Sequence, residues 1–78
     1  MNVLGIMSQE ELVKRNKEIF LGCEIVITHL AGEDGTYDGK SGIVEYVDDM
    51  GDLHGTWGFL AVIPGQDSFS ILSRPKTD

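Results

Sequence analysis

Seventy-eight residues, 41% of them hydrophobic, allow one folded domain at most and carry too much apolar character for wholesale disorder. A single cysteine, Cys23, excludes an internal disulfide scaffold and a cysteine-clustered zinc site, and it fits a reducing, cytoplasmic setting. The formal net charge is −7, and no apolar run approaches the roughly 20 residues that a membrane-spanning helix needs.

The chain opens on Met1 to Met7, which has neither the basic region nor the long apolar stretch of a secretory signal and reads as a tail. Met7-Ser8 would serve as a beginning equally well. Ser8 followed by Glu11 is a capping box, with Met7 and Leu12 at the two positions of a hydrophobic staple. Glu10 with Lys14 and Glu11 with Arg15 are i,i+4 pairs in the favourable order. Leu12, Val13, Ile19 and Phe20 make one apolar stripe, and Gly22 stops the helix. Residues 8–21 are thus predicted helical, with the stripe docked on the remainder of the chain.

After Gly22 the period changes to two. Cys23 to Leu30 is β-branched and reads as the first strand. Residues 31–41 are rich in glycine and acid and predict an irregular loop. Gly42 to Val47 is the second strand, and it must bulge if Val44 and Val47 are both buried. Asp48 to Asp52 is a turn, with Gly51 free to take positive φ. Leu53 to Trp57, Phe59 to Ile63 and Ser68 to Leu72 complete the set, and the polar tail 73–78 reads as mobile. Strands this short hide their edges by curling up. The predicted class is mainly β (α+β): an N-terminal helix, then a small SH3-like barrel of four to five antiparallel strands, in one domain over 8–72 with 1–7 and 73–78 as tails.

From Gly42 onward, Gly-Ile-Val-x-x-Val-Asp-Asp-x-Gly-x-Leu-His-Gly-x-Trp is followed by Leu-Ala-Val-Ile-Pro-Gly-x-Asp-Ser-Phe. With Gly39-Lys40-Ser41-Gly42 before it, this pattern resembles a family of small bacterial domains of unknown function. The resemblance spans residues 8–72 and implies an SH3-like barrel. It also implies a setting in Gram-positive bacteria, their phages and conjugative elements. It transfers no catalytic residue. Where many members have a longer Trp-Asp-Asn-Gly turn, this chain makes the tighter link Trp57-Gly58-Phe59.

Between Gly22 and Leu72 nine acidic residues face one basic residue, Lys40. Nucleic-acid binding needs cations to replace phosphate counterions, so direct contact with DNA or RNA is not expected. Cys23 and His29 share a strand face about 20 Å apart, too far for a catalytic dyad. Asp48, Asp49 and Asp52 lack the closing glutamate of a calcium loop, since residue 59 is Phe, and are expected to satisfy turn amides instead. The glycines at 32, 35, 39 and 42 do not have phosphate-loop spacing. No enzyme activity, cofactor or metal is therefore expected. Trp57 is expected in the core and His54 pointing outward across the strands.

Tyr37, in the acidic loop, is the aromatic expected to be exposed. With Glu33, Asp34 and Asp38, and with Asp48 and Asp49 in what is taken as the adjacent turn, it makes the expected binding surface. The expected function is a protein-binding or regulatory module of a mobile element, acting as a monomer or weak homodimer away from membranes. The alternative is an acidic inhibitor that mimics nucleic acid and blocks a basic host defence protein.

Overall fold

A computed structural model describes residues 7–75 of the chain. The helix α1 (Gln9–Phe20) precedes five strands, β1 (Glu24–His29), β2 (Ser41–Val47), β3 (Leu53–Gly55), β4 (Gly58–Val62) and β5 (Ser68–Ser73). All pair antiparallel, in the order β4-β3-β2-β1-β5. The fold is the mainly β, α+β arrangement that the sequence predicts.

Both ends of the helix obey their sequence signals. The Ser8 hydroxyl accepts from the Glu11 amide at 3.1 Å and the Ser8 amide donates to the Glu11 carboxylate at 3.0 Å. That bond from the Ser8 amide holds the Glu11 carboxyl below its usual range. Leu21 caps the other end, and Gly22 comes next with φ 83°. Val13 and Phe20 pack against the core, Phe20 edge-on to Phe69 on β5. Leu12 and Met7, at the staple positions, are only partly covered. The centre of the helix's inner face is instead Asn16, which is buried.

β2 is the pivot of the sheet. Its first residues, Ser41 to Ile43, pair with β1, and Val44 to Val47 pair with β3. The register slips between Val44 and Tyr46, which is the bulge required to bury both Val44 and Val47. The strand thereby passes from one pair of neighbours to the other, and the sheet folds around one core. That core is Cys23, Ile25, Ile27, Leu30, Val44, Val47, Leu53, Trp57 and Val62.

Within the described residues the chain stays against the fold past Leu72. Ser73 ends β5, the Arg74 guanidinium donates to the Ile19 carbonyl at 3.4 Å, and Pro75 lies against Gly22. Residues 1–6 and 76–78 lie outside the described residues.

Candidate functional site

The acidic turn after β2 is a structural joint. One Asp48 carboxylate oxygen accepts from the amides of Met50 and Asp52, at 2.9 and 3.0 Å, and the other accepts from His54 Nε2 at 2.7 Å. Burial pushes the Asp48 carboxyl up, but the bonds from His54 and the two amides outweigh it and hold the group below its usual range. Asp52 moves the other way, raised first by burial and then by the neighbouring Asp48 charge. His54 stacks flat on its cross-strand neighbour Tyr46, with ring centroids 4.5 Å apart. The helix closes the joint from above: Asn16 Nδ2 donates to the Gly51 carbonyl at 2.8 Å, and the Gln9 amide reaches the Asp49 carbonyl. Asp48 thus holds turn amides, as expected, and also holds a histidine that no sequence signal paired with it.

The loop between β1 and β2 is irregular in its backbone yet pinned at several points. His29 Nδ1 meets the Asp38 carboxylate at 2.8 Å. Asp34 accepts from the Thr36 hydroxyl and amide, and these bonds lower its carboxyl. The Ala31 amide donates to Asp67 at 2.7 Å, and Asp67 also takes the Ile63 amide at 2.7 Å, so one carboxylate joins this loop to the turn after β4. Such pinning lowers the ordering cost of a later contact.

Tyr37 departs from its expected exposure. It is half-buried against the core, its hydroxyl accepts from the Phe59 amide at 3.2 Å, and Lys40 Nζ lies 5.8 Å from its ring centroid. Gly58, at φ 146°, leaves the space the Tyr37 ring fills. The loop's aromatic is therefore a prop for the β3–β4 turn. What it props outward is Phe59, 98% exposed. Trp57, by contrast, is buried as expected, with its indole N–H donating to the Leu60 carbonyl at 2.8 Å.

The two acidic segments do not form one adjacent surface. The loop ends where β2 begins and the turn starts where β2 ends, so the length of that strand, about 20 Å, lies between them. Glu33, Asp34, Tyr37 and Asp38 sit at the loop end, while Asp48 and Asp49 sit at the helix end.

Two hollows flank these groups. The larger, about 400 Å³, runs along the helix between Gln9, Glu10, Val13, Lys14, Lys17 and Asp49. Its walls are mostly flexible charged side chains of both signs, with no aromatic group among them. The smaller, about 200 Å³, lies between the loop and β4 and is lined by Leu30, Ala31, Glu33, Leu60, Ala61, Ile63 and Asp67. Its backbone walls are tied together through Asp67. Phe59 is next in sequence to Leu60 and two residues from Ala61, both on the groove wall, where the β3–β4 register slips. Sequence reasoning missed Phe59 because the run Phe59 to Ile63 is apolar throughout and hides which alternate set faces in.

Each histidine is held by one aspartate, and no hydroxyl or thiol bonds to either imidazole among the described residues. Cys23 is buried, and its thiol donates to the Ile19 carbonyl at 3.3 Å. Among the described residues no group of three or more His, Cys, Asp or Glu is placed to hold a metal, and no helix is long and apolar enough to cross a membrane.

Comparison with curated proteins gives no match, and comparison with solved structures gives none either. A family described as "Domain of unknown function (DUF4314)" matches residues 8–72, from the helix N-cap to the penultimate residue of β5, and the chain belongs to that family.

Proposed function

We propose that this domain is a non-catalytic protein-binding module whose contact surface is Phe59 with the neighbouring groove between the acidic loop and β4. One observation carries the reading: an aromatic ring 98% exposed on a backbone whose amide is fixed by Tyr37. Covering a phenylalanine side chain is worth about 1.5–3 kcal/mol, and with its backbone amide bonded the residue has chiefly side-chain rotation left to order. Single exposed apolar residues are ordinary on protein surfaces. This one is set apart by its anchorage and by the apolar groove beside it. The histidine geometry supports the non-catalytic part, since each imidazole is engaged by an aspartate without a nucleophile alongside. The mobile-element setting belongs to this reading and rests on the motif resemblance. The cytoplasmic setting rests on the reduced, buried Cys23.

The test is affinity capture from a host lysate with wild type and Phe59→Ser, at low salt and at about 0.5 M salt, and then rebinding of the retained protein to the purified domain. The expected result is a protein held by wild type, weakened but not released by salt, and lost with Phe59→Ser. Retention that ignores the substitution, or no specific retention at all, overturns the proposal. Complete release by salt with Phe59→Ser unaffected is the behaviour of a nucleic-acid mimic.

A further inference from the structure

We infer that the cavity between the acidic loop and β4 takes a lysine side chain of the partner, its methylene stem along the apolar walls and its ammonium group against Asp67 and Glu33. This inference rests on the protein-binding reading above for the source of the lysine. The cavity, about 200 Å³, is smaller than the roughly 300–1,000 Å³ of a pocket for a small-molecule cofactor, so its size suits one side chain. Leu30, Leu60, Ala61 and Ile63 supply apolar wall, Glu33 and Asp67 are the charged residues of the lining, and no cation is among them. Between Gly22 and Leu72 nine acids face Lys40 alone, and Lys40 lies over the Tyr37 ring rather than on this lining.

Asp67 fixes the polar end. Each of its oxygens accepts one backbone amide, from Ala31 at 2.7 Å on the loop side and from Ile63 at 2.7 Å on the β4 side. A carboxylate oxygen has two lone pairs, so each keeps acceptor capacity beyond its amide. Glu33, whose backbone amide donates to the Leu30 carbonyl at 3.1 Å, makes no side-chain hydrogen bond among the described residues. A purely apolar occupant would cover these acceptors without pairing them, and an acidic one would meet like charge. A guanidinium recognises a carboxylate best through two parallel bonds, and backbone amides already hold one site on each Asp67 oxygen. An ammonium group, a compact charge with three donors on a flexible stem, makes no such geometric demand. Lysine is thus the residue whose two halves match the two kinds of wall.

The probe is Nα-acetyl-lysine N-methylamide, titrated into the isotope-labelled full chain at a constant salt concentration of about 0.15 M. The norleucine, arginine and Nε-acetyl-lysine analogues are run alongside. Backbone amide shifts at residues 30–33, 60–63 and 67 should move together and saturate with a Kd on the order of 1–10 mM. The two uncharged analogues should bind at least about fivefold more weakly, and the arginine analogue about threefold more weakly. Glu33→Gln should weaken the lysine probe about threefold. Ala61→Leu, which fills the cavity without changing its charge, should abolish binding while the Trp57 near-ultraviolet signal stays native. No saturable shift below about 50 mM overturns the inference, as does equal binding of the norleucine analogue. Shifts gathered at the turn 48–52 overturn it as generic charge attraction. If Ala61→Leu does not fold, Glu33→Gln decides, and lysine binding that this variant leaves unchanged overturns the inference as well. If the lysine probe fails while a captured protein still depends on Phe59, the occupant is wrong and the protein-binding reading stands. If the probe binds and capture retains nothing, the cavity is a lysine site and the reading built on Phe59 falls.

Discussion

Asn16 donates its side-chain amide to the Gly51 carbonyl at 2.8 Å, across a gap of 35 residues, and both residues are buried. The helix is thus joined to the sheet by a polar bond on its inner face, while Val13 and Phe20 of the same helix pack against the core. Asn16→Ala would leave the Gly51 carbonyl without its partner. The expected loss is about 1–3 kcal/mol of stability, read from the urea midpoint. A change below about 0.5 kcal/mol, the range of ordinary surface substitutions, would show that the helix is not held there.

Acid should weaken the same joint. The Asp48 carboxyl is depressed in the folded state, so its contribution is complete above the unfolded value of about 3.9 and is lost as pH falls through the lower folded value. Urea midpoints should therefore drop from pH 5 downward in wild type. Asp48→Asn should be less stable at pH 7 and should lose part of that dependence. Identical pH profiles for the two proteins would contradict the assignment.

Asp52 has the opposite sign. Its carboxyl is raised by burial and by Asp48, so its charge opposes folding above the folded value, and the penalty vanishes once pH is below the unfolded one. Asp52→Asn should raise the urea midpoint at pH 7 by a small margin. At about pH 3, where the carboxyl is protonated in both states, the margin should disappear.

Gly55 is fixed by crowding. A Cβ there would overlap the Ile43 carbonyl oxygen and the Trp57 ring, neither of which has room to give. Gly55→Ala should cost more than the 1–3 kcal/mol typical of overpacking and displace the indole. Loss of the tryptophan near-ultraviolet signal together with a lowered urea midpoint would report it. A native-like spectrum and midpoint would place Trp57 elsewhere.

Local chemistry made much of this fold legible. The capping box, Gly22 and the period-two runs locate the helix and every strand, because caps and alternation act within a few residues. The bulge could be inferred from Val44 and Val47 standing three apart. The site was harder to read. Asn16 lies four residues from both Leu12 and Phe20, so its place in the stripe was visible, but its partner across the fold was not. Tyr37 sat in a loop whose glycines and acids suggest exposure, and only the packing of the β3–β4 turn turned it inward. Phe59 could equally have faced the core, since Leu60 and Val62 beside it are as apolar. Leu60 and Val62 took that role once Gly55 and Gly58 paired across the turn.

The central claim is that Phe59 touches a partner. The most direct measurement places a photo-crosslinking amino acid at position 59 of the full chain in its host, with Tyr46 and Met50 as exposed comparison positions. One dominant protein should crosslink from position 59 and not from the other two. Crosslinking from position 46 or 50 with none from 59 would contradict the claim and move the contact surface to the helix end of the sheet.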